Sequence, residues 1–238
     1  MECAINKAGR QRMLGQRIVK SHIQIAADIW ANEARAQLAE ALWSFDAQLH
    51  DLIELEADAA VGDSLAELAA EWLPFRQLAV APPSREGAAA LRAAGECLLD
   101  AAERHTSALE RLARTAACRL VNLSGRQRML TQRIAKNFIL RASGEDNAPV
   151  RAELDLALVQ FEHALSALRA SQQNTAAIYS ELVAISAQWE GLKSMLERED
   201  CSPESAHAVI AVADAMLRRT ENTTSLYERL AGEPGAHS

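Results

Sequence analysis

Aromatic residues make up only 4% of the 238-residue chain, and glycine (10) and proline (6) are sparse. A chain short of strand formers and breakers but rich in Leu, Ala and Glu builds long helices, so the fold class expected is all-α. No apolar run approaches the roughly 18 residues of a membrane span, and the first residues lack a charged segment followed by an apolar one. As written, the chain reads as cytoplasmic. Because Met1-Glu2-Cys3-Ala4-Ile5 leads so abruptly into the first motif, a signal peptide upstream of this start would place it in the periplasm instead. Positive charge is also in deficit: 25 Lys and Arg against 32 Asp and Glu give a net charge of −7. No basic run tracks a phosphate backbone, which excludes nucleic acid as a partner.

The four cysteines, Cys3, Cys97, Cys118 and Cys201, have neither CxxC spacing nor paired histidines, which argues against a zinc site or a disulfide framework. They are expected to be reduced, buried small hydrophobes. Glu204-x-x-His207 is the one pair with the spacing of a di-iron helix, but it lies at a helix start and has no counterpart elsewhere. Asp46 and His50 read as a surface i,i+4 pair rather than a dyad. No enzyme, cofactor, metal or catalytic residue is indicated.

What the chain does contain is repetition. Ile5-Asn-Lys-Ala-Gly-Arg-Gln-Arg-Met-Leu-Gly-Gln-Arg-Ile-Val-Lys20 and Val121-Asn-Leu-Ser-Gly-Arg-Gln-Arg-Met-Leu-Thr-Gln-Arg-Ile-Ala-Lys136 are identical at eleven of sixteen positions without a gap. The offset of 116 persists from Arg35 and Phe45 to Arg151 and Phe161, becomes 117 for Trp72 and Trp189, and 118 for Ser107 and Ser225. The chain therefore reads as two tandem copies, 1–117 and 118–238. Each is expected to be an up-and-down four-helix bundle. Breaks are expected near Trp30 to Asn32, Glu56 to Asp63 and Ala81 to Ser84, and in the second copy at Gly144 to Pro149 and at Ser202-Pro203-Glu204. The tail from Ala231 reads as disordered. Between Arg114 and Leu123 there is neither Gly nor Pro, so the sequence alone allows either a turn or one continuous helix.

Each copy opens on an arginine-rich helix. At 100° per residue Arg12 falls within about 40° of Ile5, Ala8, Val19, Ile23 and Trp30, with Gln16 and Gly9 close by. Arg128 sits likewise among Val121, Ser124, Ala135 and Ile139, near Gln132 and Gly125. A buried guanidinium needs an anion, yet neither motif holds an Asp or Glu. The missing charge comes either from a carboxylate on another helix or from a bound anion. If the two opening helices lie side by side, as a pseudo-dimer within one chain, Arg12 and Arg128 would grip a small planar oxyanion from both sides. If the junction is helical throughout, a homodimer would be needed. Gly9 and Gly125 permit close approach to the helix backbone. Arg10, Arg17, Arg126 and Arg133 point away and are expected to be solvated or paired with acids.

These residues resemble the N-terminal sensor domain of type IV pilus methyl-accepting chemotaxis transducers (the PilJ type). They also resemble the related sensor domain of nitrate/nitrite histidine kinases, with signature Gly-x-x-Arg-Met-x-x-x-Arg. Gly9, Arg12, Met13 and Arg17 match it, as do Gly125, Arg128, Met129 and Arg133. The resemblance implies a nitrate or nitrite site built on Arg12 and Arg128 with Gly9 and Gly125. Gln16, Gln132, Met13, Met129, Asn6 and Asn122 are expected in support. It also implies signalling through an unidentified partner protein. The competing expectation is a helical interaction or adaptor protein whose arginines are paired internally and bind no ligand.

Overall fold

The computed structural model describes residues 2–55 and 59–232, and all the regular secondary structure over them is helical. Eight helices follow in order among these residues: α1 (Glu2–Ala26), α2 (Ala31–Leu55), α3 (Ala59–Val80), α4 (Arg85–Ala113), α5 (Ala116–Ala142), α6 (Ala148–Arg169), α7 (Ala176–Glu197) and α8 (Pro203–Ala231). Side chains punctuate them. Ser84, Thr115, Asn147, Thr175 and Ser202 each hold an extended backbone and accept a hydrogen bond from the amide three residues on. Each such cap is worth about 1 kcal/mol. Of the expected breaks, Ala81 to Ser84 and Ser202 fall as anticipated. The first lies slightly earlier, in residues 27–30. For the break expected at Glu56 to Asp63, residues 56–58 lie outside the described residues, and Asp63 is already helical. At the other end α8 runs through Ala231, and residues 233–238 lie outside the described part.

The junction left open by the sequence is a break. Arg114 takes left-handed backbone angles (φ 55°) and closes α4 through its N–H to the Glu110 carbonyl, and Thr115 then caps α5. Contacts divide the chain there into two units, Met1–Arg114 and Thr115–Ser238.

Within the first unit α1 packs on α2 and α4, and α4 on α3, while α2 and α3 meet only sparsely; in the second, α5, α6, α7 and α8 follow the same scheme. Specific interactions recur at the sequence offset. The α1–α2 turn is closed by the Ile29 amide on the Gln24 carbonyl (2.9 Å), and the α5–α6 turn by the Glu145 amide on the Leu140 carbonyl (2.9 Å). This six-residue closure needs a left-handed residue, supplied by Asp28 (φ 56°) in one unit and Gly144 (φ 94°) in the other. Phe45 stacks on Trp72 at 3.8 Å, and Phe161 on Trp189 at 4.4 Å. Gln11 donates its amide to the Phe45 carbonyl (3.3 Å), and Gln127 to that of Phe161 (3.0 Å).

Two surface expectations are corrected. Only Cys118 is buried; Cys3 and Cys97 are exposed and Cys201 is half-buried. Asp46 does not pair with His50, which lies against Glu54 (3.2 Å). Asp46 instead accepts from the Trp72 indole (2.8 Å) and the Arg76 guanidinium (3.0 Å), because the stacked Trp72 presents its N–H there.

Candidate functional site

The opening helix of each unit is buried around most of its circumference, not along one stripe. On α1, Gln11, Arg12, Gln16, Lys20, Ser21, His22 and Gln24 are all buried. On α5, Ser124, Gln127, Arg128, Thr131, Gln132, Lys136 and Asn137 are buried too. Such a density of polar groups in an interior is costly unless each finds a partner.

Arg12 has a partner. Its side chain is fully buried, and Nη1 donates to Glu103 Oε2 on α4 at 2.6 Å, the Glu103 side chain remaining 30% exposed. The carboxylate foreseen as one source of countercharge is thus present, bridging the buried guanidinium to the surface. Arg12 Nε also reaches the Gly9 carbonyl at 3.5 Å. Arg128 is similarly buried at 3% exposure. Glu221, 118 residues beyond Glu103, occupies the aligned position on α8.

One turn along, the geometry differs in kind. Gln16 and Gln132 are both fully buried, and in both the amide oxygen and nitrogen lack any hydrogen-bond partner among the described residues. A further turn along stand Lys20 and Lys136, again fully buried. Lys136 Nζ lies 3.4 Å from Glu153 Oε2 on α6, and Arg133 Nη2 4.0 Å from the same oxygen. Arg, Gln and Lys therefore form a ladder at i, i+4 and i+8 on each opening helix, rising about 12 Å from end to end. Sequence reasoning did not single out the lysines or Gln11 and Gln127. The available signal was their identity in both arginine motifs, at positions where a surface helix has no reason to keep the same residue.

The other anticipated residues are placed as follows. Gly9 and Gly125 are buried, Met13 and Met129 are core residues at 0% and 2% exposure, and Asn6 and Asn122 are half-buried. Arg17 lies 3.5 Å from Glu40, which fits the expectation that the outer arginines meet acids of the bundle. No grouping of His, Cys, Asp or Glu among the described residues is fit to hold a metal, and none of the described helices is long and apolar enough to cross a membrane.

The first unit also buries two histidines on which the second has none. His105 on α4 meets Ser64 Oγ through Nδ1 at 3.1 Å, and burial pushes its pKa down to about 4. Burial lowers that of His22 as well. Their counterparts are Thr223 and Phe138.

Comparison with known families matches residues 2–96 and 110–221 to the model described as type IV pili methyl-accepting chemotaxis transducer N-term, PilJ. The chain belongs to the PilJ family. The match takes in most of both units, including both arginine helices, so these PilJ-type sensory bundles carry the buried polar ladder within the family's own extent. No curated protein and no solved structure matches the chain significantly.

Proposed function

We propose that this PilJ-type chain is a tandemly duplicated sensor of a small oxyanion, nitrate or nitrite first among candidates. Its binding residues are Arg12 and Arg128, with Gly9, Gly125, Gln16 and Gln132. The observation that carries the reading is the pair of buried, unpartnered Gln16 and Gln132 amides, each one turn from a buried arginine. An amide N–H held dry beside a guanidinium is a donor set for a planar oxyanion. Its desolvation has already been met in folding, so binding gains the full hydrogen bond. The duplication is supported by the recurrence of the Gln11/Gln127 bonds, the aromatic stacks and the helix closures at the sequence offset. The Gly-x-x-Arg-Met-x-x-x-Arg pattern supports kinship with the nitrate/nitrite kinase sensors. Ligand binding biases a small helix shift that a partner protein reads.

A second reading has its own observation. The Arg12–Glu103 ion pair at 2.6 Å is what an internally satisfied, ligand-free adaptor would contain. A thermal-shift series with nitrate, nitrite, chloride and sulfate on wild type and Arg12→Ala separates the two. At 100 times its dissociation constant a bound anion adds about 2.7 kcal/mol of apparent stability. We expect that gain for nitrate or nitrite in wild type, and its loss from the first unit in Arg12→Ala. No response to any of the four anions would leave the adaptor reading standing. Titration of the responsive anion then yields its stoichiometry per chain.

A further inference from the structure

We infer that Glu103 is a built-in competitor for the ligand: its carboxylate holds the Arg12 guanidinium in the resting state, and an arriving oxyanion displaces it. The inference rests on the oxyanion reading and specifies how that site is regulated. Glu103 differs from an ordinary buried ion-pair partner in being 30% exposed, whereas the guanidinium it binds is fully buried. It lines a groove of about 530 Å³ between α3 and α4, alongside Asp63, Glu67, Asp100, Arg104 and Arg111. A released Glu103 carboxylate therefore has solvent and two arginines to turn to, while Arg12 has no exposure to water and must keep an anion. The exchange is charge-neutral at the guanidinium, one carboxylate oxygen leaving as one ligand oxygen arrives.

Displacement is also felt by α4. Near its middle, α4 is pressed on α1 so closely that a methyl group on Gly95 would lie 2.9 Å from Val19 Cγ2. Glu103 is eight residues, about 12 Å, further along the helix. One end of this α1–α4 contact is thus held by packing and the other by an exchangeable ion pair. Ligand exchange loosens α4 around Glu103 and leaves the Gly95 contact in place.

The test is isothermal titration of nitrate into wild type, Glu103→Gln and Glu67→Gln. Glu67 is an acid of the same groove that pairs with Arg104 (2.9 Å) and does not touch Arg12 in the described contacts. Removing the competitor should tighten nitrate binding at least tenfold in Glu103→Gln and leave Glu67→Gln at the wild-type value. Should Glu103→Gln not fold, Glu103→Asp, which withdraws the carboxylate by one methylene, is expected to tighten binding by a smaller factor. Amide hydrogen exchange in α4 around residue 103 should accelerate with nitrate in wild type and be indifferent to nitrate in Glu103→Gln. Equal affinities in wild type and Glu103→Gln would overturn the competitor role while leaving the sensor intact. Equal tightening by Glu67→Gln would assign the effect to general electrostatics and equally overturn it. Absence of binding in every protein would remove the sensor reading and this inference together.

Discussion

Replacing Gln16 by Met should make the protein more stable and less responsive. The side chain is fully buried, and neither its amide oxygen nor its nitrogen has a partner among the described residues. A buried amide left unpaired costs about 1–3 kcal/mol relative to an apolar group of the same shape. Methionine has similar length and helix propensity, so it meets the same packing without the desolvation cost. Allowing about half of that for imperfect fit, Gln16→Met should gain about 0.5–1.5 kcal/mol in urea denaturation without added anion. In a unit of this size that corresponds to roughly 2–6 °C in Tm. The same substitution removes a proposed ligand donor, so the nitrate-dependent rise in Tm should fall to less than half of the wild-type rise. Gln132→Met should do the same from the second unit. Stability purchased at a site by loss of binding is the usual signature of a functional polar group. A loss of 1 kcal/mol or more in anion-free Gln16→Met would mean that the amide is satisfied, refuting the argument at its root. Undiminished nitrate stabilisation of the variant would remove Gln16 from the site.

Three further outcomes follow from the packing. The folded His105 pKa, about 4, lies below the unfolded value near 6.5, so its neutral form is favoured in the folded state. Its contribution is fully present above pH 6.5 and is lost as pH falls toward 4, by about 2 kcal/mol at pH 5. Denaturant midpoints measured between pH 7.5 and 5 should therefore drop more steeply in wild type than in His105→Gln. Gly95→Ala should destabilise by about 1–2 kcal/mol in spite of the better helix propensity of alanine, because stiff Val19 stands 2.9 Å from the new methyl. Gly62→Ala, with nothing within 4 Å, should stabilise by about 0.5–1 kcal/mol in the same denaturation assay. Tyr227→Phe removes the hydroxyl that donates to Asn174 Oδ1 at 2.6 Å, and should cost about 1–2 kcal/mol and raise hydrogen exchange in the α6–α7 loop.

Helix content and the two-unit layout were legible because they depend on local chemistry. The caps at Ser84 and Ser202 and the 116-residue recurrence are properties of short stretches, and an all-helical fold follows from them almost regardless of how the helices meet. Burial was less legible. A 100° wheel placed Arg12 correctly in the interior, but it left Lys20, Gln11 and their twins unremarked, since it assumes one dry face and one wet face. Helices α1 and α5 are dry nearly all round, and for such a helix periodicity carries little information. The cysteines misled for a related reason: Cys3 and Cys97 are exposed, and a small residue gives no pattern by which to tell the two faces apart.

Sequence alone was enough to determine a helical chain with a repeated arginine helix, and to demand an anion for each buried guanidinium. It could not name the anion's source, because that depends on which distant carboxylate the fold carries to the arginine. Tertiary structure brought Glu103, 91 residues away, to 2.6 Å from Arg12 and brought no partner among the described residues to Gln16. It also broke the chain at Arg114, where a left-handed residue and the Thr115 cap outweigh a local composition that permits an unbroken helix. Pairing across such separations is set by how helices pack, and packing is a property of the whole core rather than of any segment in it.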